Sequence, residues 1–225
     1  MNTAMMLDCH IHMNETWDSP QVFLDKLKAA GLDGGMVFSQ APASFHNCKA
    51  ERGDAKRRLD QILDYTKGLD NLYPFFFIDP MEEDAEEQVD RAVEAGIRGF
   101  KVICCHHYPQ DDRPMAIWER IAGHGKPLLL HSGILYNNGP SADFNRPGNF
   151  EALFYVKNLR FAVAHISWPW CDELIAVFGK WNYLYTEKVP GMTAHVCGRH
   201  PRHAAHLPAG GPGQADDGGL RDGGA

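Results

Sequence analysis

The sequence predicts an α/β protein folded as a (β/α)8 barrel of the TIM type that lacks its last strand and its last helices. Three observations lead to this prediction. Short apolar runs alternate with segments of helical period six times, and a seventh apolar run follows. Strands this apolar, each followed by a helix, favour a parallel sheet covered on its outer face. The first run leads into "CHIHMNET", without the glycine-rich turn of a doubly wound nucleotide-binding sheet, so we prefer the barrel to that alternative.

The predicted strands are seven short apolar runs. In chain order they lie at 4–10, 34–40, 71–80, 97–105, 126–134, 159–167 and 181–187. The predicted helices lie between them, at 19–31, 54–68, 84–96, 115–125, 149–158 and 171–180. The first helix has clear boundaries, because Ser19 is a good N-cap, Pro20 suits the first turn and Gly31 suits the end. The second has an apolar face that includes Leu59 and Ile62, and the third begins with acidic residues, as the helix dipole favours.

Composition and charge narrow the class of protein. The 225 residues carry a formal net charge of −7 without a long basic stripe, so nucleic acid is not an expected partner. No run of about 18 apolar residues occurs, so no membrane span is predicted. The N-terminus lacks the pattern of a signal peptide, and the six cysteines show no metal-binding spacing. We therefore expect reduced thiols, a cytoplasmic location and a small-molecule substrate as the main partner.

The composition changes after residue 188. Nine glycines and four prolines fall between 189 and 225, and no aromatic residue does. A segment of this composition does not bury enough apolar surface to fold. We therefore expect an incomplete barrel over 1–188 and an irregular or disordered tail over 189–225. The unpaired strand edges of an incomplete barrel favour self-association, so a homo-oligomer is an open alternative to a monomer.

The segment "LDCHIHM" places polar side chains at alternate positions of the first predicted strand. Because side chains two residues apart share one face of a strand, Asp8, His10 and His12 are expected to point into the barrel. Two imidazoles on one face can share a cation about 2.1 Å from each nitrogen. Asp8, one step deeper, would then orient an imidazole from behind. The alternative is a pair of hydrogen-bonded histidines with no metal.

Two later strands each end in a histidine. His131 follows "LLL" on the fifth predicted strand, and His165 follows "FAVA" on the sixth. Barrel enzymes hold their active sites at the carboxyl ends of the strands, so these imidazoles are expected to lie near the first-strand pair. We predict His131 as a third metal ligand. His165 is predicted as a further ligand or as a general acid–base, since an imidazole titrates near neutral pH.

The fourth predicted strand contains a lysine, in "GFKV". A buried lysine is costly unless it is paired, so Lys101 is expected to serve the site. It would either be carbamylated and bridge two metal ions or stay cationic and hold a substrate carboxylate; the alternative is that its head escapes at the strand end. The next residues, "CCHH" at 104–107, are expected to line the mouth, with a separate Cys/His metal site as the other interpretation.

The order of these motifs resembles the amidohydrolase superfamily. Asp-x-His-x-His on strand one, Gly-Phe-Lys on strand four and single histidines on strands five and six occur in that order over residues 4–187. The resemblance is to the amidohydrolase-related branch, which includes metal-dependent hydrolases and decarboxylases of the aminocarboxymuconate-semialdehyde type. It implies a metal-dependent hydrolase barrel over 1–188 that binds Zn²⁺, or Mn²⁺ as the alternative, through His10, His12 and His131. His165 and Lys101 would be catalytic, and a metal-activated water would attack an amide, ester or lactone carbonyl.

The sequence departs from this family at its C-terminal end. The family's eighth strand ends in an aspartate that binds metal and takes a proton, and no eighth strand is predicted here. Asp216 and Asp217 lie in "GQADDGGL" and are not assigned that role. We interpret the tail as aberrant or truncated, typical of out-of-frame translation of a GC-rich gene. Two rival functions stay open: a non-oxidative decarboxylase in which Lys101 or Arg98 holds a carboxylate, and an inactive barrel remnant or binding protein.

Overall fold

A computed structural model of the chain describes residues 5–13, 17–45, 54–136 and 139–188, together with 199–200 and 203–204. The main strands are β1 Leu7–His12, β2 Gly34–Phe38, β3 Leu72–Phe77, β4 Gly99–Val102, β5 Pro127–Leu130 and β6 Arg160–Val163. The helices are α1 Pro20–Ala29, α2 Ala55–Thr66, α3 Ala85–Glu94, α4 Asp112–Gly123, α5 Ala142–Asn145 and α6 Cys171–Lys188, with 3-10 segments at Pro147–Tyr155 and His165–Ser167.

The six main strands form one parallel sheet in the order β1-β2-β3-β4-β5-β6. Each strand therefore pairs with the next one along the chain, and the connecting segments cross over from the end of one strand to the start of the next. Register is continuous across the middle of the sheet, where Phe77 pairs with Lys101 and Lys101 pairs with Leu129. The prediction of an α/β protein with a parallel sheet is confirmed.

The sheet curls until its two outer strands approach each other. In a flat sheet, six strands at about 4.8 Å spacing would hold β1 roughly 24 Å from β6. Instead, the ring of His10 on β1 lies 4.7 Å from the ring of His165, two residues beyond β6. The fold is thus a curled half-barrel of six strands, consistent with part of a TIM-type barrel. The complete (β/α)8 barrel is not confirmed, since the residues described give six parallel strands.

The core lies between the sheet and the helices on its outer side. The amphipathic helices turn their apolar faces inward: Ile62 of α2, Val89 of α3 and Trp118 of α4 are buried against the sheet. Ser19 caps α1 by accepting a hydrogen bond from the amide of Val22, as the sequence predicts. One face of each strand meets this core, and the other lines the inside of the half-barrel, where polar residues such as Lys101 of β4 also lie.

The prediction of a seventh strand at 181–187 is wrong, because these residues continue helix α6. Trp181 packs 3.8 Å from Phe154, centroid to centroid, and the two share a buried cluster with Val177. Val177 and Trp181 are four residues apart, so the helical period positions both against the same surface. The predicted helix at 149–158 also differs: Pro147–Tyr155 forms a 3-10 segment instead.

Most of the predicted tail, including Asp216 and Asp217, lies outside the described residues. The described part of it is a two-residue antiparallel pair, Arg199–His200 (β7) with His203–Ala204 (β8). These short strands pair with each other, so neither is the eighth barrel strand. Within the described ranges, no helix combines the length and the apolarity needed to cross a membrane.

The helical assignment of 181–187 can be tested with two aromatic positions of α6. Trp181 is 8% exposed, whereas Tyr183 is 65% exposed. We expect Trp181→Ala to lower the free energy of unfolding by about 3 kcal/mol through loss of buried packing. Tyr183→Ala should change it by less than about 0.5 kcal/mol. Urea unfolding followed by circular dichroism measures both.

A strand would place residues 181 and 183 on the same face, and the two substitutions would then cost similar amounts. Equal losses of stability in the two variants would therefore contradict the helix.

Candidate active site

The first strand supplies a pair of imidazoles in direct contact. His10 Nε2 and His12 Nε2 lie 2.9 Å apart. The pairing of β1 with β2 shifts register between Asp8 and Ile11, which marks a bulge, and bulges re-aim side chains. Despite this irregularity, the imidazoles of His10 and His12 meet on one side of the strand. The Asp8 carboxylate accepts a hydrogen bond from the backbone amide of His10 at 2.8 Å, so it fixes the backbone of the bulge.

A glycine on β2 makes room for this bulge. A Cβ atom at Gly35 would lie 2.5 Å from the carbonyl oxygen of Asp8 and 2.5 Å from Cδ1 of Ile11. The Ile11 methyl could move away, but the Asp8 carbonyl is backbone and could not, so any side chain at this position would force the two strands apart. The position of the His10–His12 pair thus depends on a residue that does not belong to the site.

His165 connects the first-strand pair with His131. Its ring centroid lies 4.7 Å from that of His10 and 4.8 Å from that of His131. His165 begins a turn in which it, Ile166 and Ser167 have φ values of 62°, 50° and 53°. Three successive left-handed residues, one of them β-branched, are strained, and such strain concentrates at functional sites. The chain leaves β6 sharply at this turn, directly at the imidazole cluster.

Buried polar groups hold the loops after β4, β5 and β6 together. Ser132 Oγ lies 2.9 Å from the carbonyl oxygen of Asn145 and 2.7 Å from Ser167 Oγ. Gly133 donates its amide to the same Asn145 carbonyl at 3.0 Å. The Asn145 side chain donates from Nδ2 to the carbonyl of Cys104 at 2.8 Å. Because each of these groups is buried and bonded, the residues next to His131 and His165 are held in one arrangement.

Lys101 lies inside the half-barrel among the imidazoles. It is 0% exposed, so its head does not escape to solvent at the strand end. Its Nζ sits 5.6 Å above the ring of Phe38 and has no hydrogen-bond partner among the described residues. Burial lowers the pKa of Lys101 to about 7. The amine is therefore close to half protonated at neutral pH, which leaves both predicted roles of Lys101 chemically accessible.

The four imidazoles are neutral at pH 7. Burial is the largest cause that lowers the pKa of His10, His12, His131 and His165, and the charge of Lys101 is the next for each of them. His12 is exposed at the end of β1, and its pKa still falls, to about 3. A neutral imidazole offers a lone pair, which is the form that ligates metals or accepts a proton.

Two members of this set are placed to share a divalent metal ion, because His10 Nε2 and His12 Nε2 lie 2.9 Å apart. Among the described residues, no third His, Cys, Asp or Glu joins this pair with all three ligand atoms within 4.8 Å of one another. His131 Nε2 is buried and has no hydrogen-bond partner among the described residues, so its lone pair is available to a metal ion. The ring contacts run from His12 through His10 and His165 to His131. The structure thus brings together the imidazoles predicted from three strands, and it places His165 between His131 and the pair.

A second group lies outside this cluster. Asp79, His106 and His107 offer one ligand atom each within 4.8 Å of one another. The sequence points to His106 and His107 through "CCHH", but not to Asp79. The available signal is position: Asp79 follows β3 by two residues, and neighbouring parallel strands end at the same edge of a sheet.

Solved structures resemble this fold. A candidate amidohydrolase from Staphylococcus aureus has 13% identity over 89% of this chain and 74% of its own, with a TM-score of 0.55. A monomeric dihydrodipicolinate synthase variant has 10% identity over 86% of this chain and 62% of its own, with a TM-score of 0.50. A probable 2-pyrone-4,6-dicarboxylic acid hydrolase from Acinetobacter baumannii has 11% identity over 77% of this chain and 66% of its own, with a TM-score of 0.48. The chain thus spans about two thirds of the length of these proteins.

The family comparison is more specific than the structural one. No curated protein matches the chain at a significant level. The family model described as "Amidohydrolase" matches residues 7–209, which includes every strand of the half-barrel and continues past residue 188. Since this match spans most of the sequence, the chain belongs to the amidohydrolase family.

Proposed function

We propose that this protein is a metal-dependent hydrolase of amides, esters or lactones. The observation that supports the proposal is the chain of ring contacts from His12 through His10 and His165 to His131, beside the buried amine of Lys101. His10, His12 and His131 would hold a divalent ion, Zn²⁺ or alternatively Mn²⁺. Such an ion, when bound, polarises a carbonyl oxygen and makes a bound water more acidic.

His165 is proposed to move the proton in this reaction. It is neutral at pH 7, so it can accept a proton from water and return it to the leaving group. Its position between His10 and His131 places it against the proposed ligands. The aspartate that the family carries on its eighth strand has no counterpart among the described residues, so in this proposal His165 acts as the base without it.

Lys101 is proposed to attract an anionic group of the substrate. Its Nζ is buried without a hydrogen-bond partner among the described side chains and carbonyls, so a carboxylate would give it the partner that it lacks. Pairing would also raise the pKa of Lys101 from about 7 and restore its positive charge. The expected substrate is therefore a small molecule that combines a carbonyl with a carboxylate.

The same observation favours one alternative, a non-oxidative decarboxylase. A buried lysine next to a metal site could hold the carboxylate that is lost rather than one that stays. Release of CO₂ distinguishes the two reactions, because hydrolysis of an amide, ester or lactone forms none.

The proposal is tested by metal content and activity. After reconstitution with Zn²⁺ or Mn²⁺, elemental analysis should find metal, and a panel of carboxylated amides, esters and lactones should include a substrate. The double variant His10→Asn/His12→Asn should lose more than about 100-fold in kcat/KM, because even outer partners of metal ligands contribute 10–100-fold.

His124→Asn is the matched control. His124 is bonded to Asp90 at the α3–α4 surface, so its loss should leave kcat/KM within about twofold. Near-zero metal after reconstitution, or full activity in the double variant, would overturn the proposal. CO₂ release by the wild type without hydrolysis would replace it with the decarboxylase.

The burial of Lys101 generates a separate prediction about stability. In the metal-free protein at pH 7, we expect Lys101→Met to raise the free energy of unfolding by about 1–4 kcal/mol, since it replaces a buried charge with an apolar side chain of similar length. The lysine pKa is about 7 when folded against an ordinary value of 10.5. Between these pH values the unfolded wild type binds more protons than the folded wild type, so the stability of the wild type rises with pH. The excess stability of the variant over the wild type should therefore be largest at or below pH 7 and shrink toward pH 10.5.

Urea unfolding at several pH values measures this difference. Lys28→Met, at an exposed position of α1, should change stability by less than about 0.5 kcal/mol at every pH. A destabilised Lys101→Met variant, or an advantage of constant size up to pH 10.5, would show that the amine is paired or solvated in the folded protein.

A further inference from the structure

Two loops next to the candidate active site bring together a second set of metal-ligand atoms. Asp79 lies two residues beyond β3, and His106 and His107 lie four and five residues beyond β4. These strands are neighbours in the sheet, with Phe77 paired to Lys101, so the two loops begin side by side. One ligand atom from each of the three residues lies within 4.8 Å of the other two.

Two of the three side chains are buried, and one of them has no partner. Asp79 is 5% exposed and His107 is 3% exposed. Neither Nδ1 nor Nε2 of His107 has a hydrogen-bond partner among the described residues. A buried imidazole with both nitrogens unsatisfied is costly for the apoprotein. A ligand that accepts a lone pair from His107 would remove that cost.

The other two residues contact each other. Asp79 Oδ1 accepts a hydrogen bond from the amide of Met81 at 2.9 Å, and its Oδ2 lies 3.3 Å from His106 Nε2. His106 Nδ1 lies 3.3 Å from Cys105 Sγ, so Nε2 is the nitrogen that faces the carboxylate. The Cys105 contact thus fixes the orientation of the His106 ring, as a partner on the outer nitrogen does for histidines that bind metals.

The loops themselves are anchored. The indole of Trp118 donates to the carbonyl of Pro109 at 2.9 Å, just beyond the histidines. Arg113, in the first turn of α4, donates to the carbonyl of Glu82 at 3.0 Å and so ties the helix that follows the histidine loop to the loop after β3. The three ligand atoms therefore sit on braced segments rather than on independent loops.

We propose that Asp79, His106 and His107 bind a divalent transition-metal ion, Zn²⁺, at a site separate from the His10–His12 cluster. Two imidazoles and one carboxylate are a composition that zinc accepts, whereas Mg²⁺ and Ca²⁺ prefer oxygen ligands throughout. The three protein ligands leave one position of a tetrahedral ion for water or another small ligand. The ion fastens the end of β3 to the loop after β4, and so stabilises the mouth of the half-barrel.

The test is calorimetric titration of metal-free protein with Zn²⁺, using variants that separate the two sites. In the double variant His10→Asn/His12→Asn, one Zn²⁺ per chain should still bind. Adding His106→Asn to that background should weaken this binding by at least tenfold, as expected for loss of a direct ligand. Adding His124→Asn instead should leave it unchanged, and Mg²⁺ should not compete.

A second readout guards against misfolding. His106 is the most exposed of the three ligands, and the circular dichroism and melting temperature of its metal-free variant should match those of the parent. Zn²⁺ should raise the melting temperature of the His10→Asn/His12→Asn protein and not that of its His106→Asn derivative.

The outcomes separate this site from the proposed active site. Failure of the His10→Asn/His12→Asn protein to bind Zn²⁺ would overturn the second site and leave the hydrolase proposal standing. Binding that survives His106→Asn and His107→Asn would likewise overturn it. One Zn²⁺ in the wild type that is lost with His106→Asn, and kept with His10→Asn/His12→Asn, would support the second site and count against the first.

Discussion

Curvature of the parallel sheet is the constraint on which the candidate active site depends. The imidazoles come from opposite edges of the sheet, on β1 and just beyond β6, and only the curl brings His10 within 4.7 Å of His165. Helices packed along the outer side maintain this curl, since their buried faces cover the convex surface of the sheet. The packing of the core therefore also assembles the candidate site. In a flatter sheet every strand could form, but the histidines would lie far apart.

Several groups on the inside of the half-barrel lower the stability of the fold. Lys101 is buried without a partner among the described residues, four imidazoles are kept neutral, and His165 begins a strained turn. Features that lower stability are often found where they serve a ligand or a reaction. Here they lie close together around Lys101. The apolar core on the other side of the same strands supplies the stability that offsets them. One face of the sheet thus carries the packing, and the other carries the polar groups of the candidate site.

Much of the fold was predictable because strong apolar runs report buried parallel strands directly. The six strands and the carboxyl-end positions of His131 and His165 follow from that pattern. The segment 181–187 was predicted as a strand because aromatic residues such as Trp181 and Tyr183 alternate in it. Its helical period is visible only when the preceding Val177 is included. The bulge of β1 and the role of Gly35 depend on contacts with a neighbouring strand. Asp79 is marked only by its position just after an apolar strand, which many acidic residues share, and its contact with His106 becomes visible only in three dimensions.

Asn145 links three segments at the mouth of the half-barrel. Its backbone carbonyl accepts a hydrogen bond from Ser132, after β5, and its side chain donates to the carbonyl of Cys104, after β4. Ser132 in turn is hydrogen-bonded to Ser167, after β6. Three segments that carry different chemical groups thus share one internal cross-link. Displacing any one of these segments would break buried hydrogen bonds to the other two. For the proposed hydrolase, substrate selectivity would then depend on the fit of the whole rim rather than on the closing of a single flap.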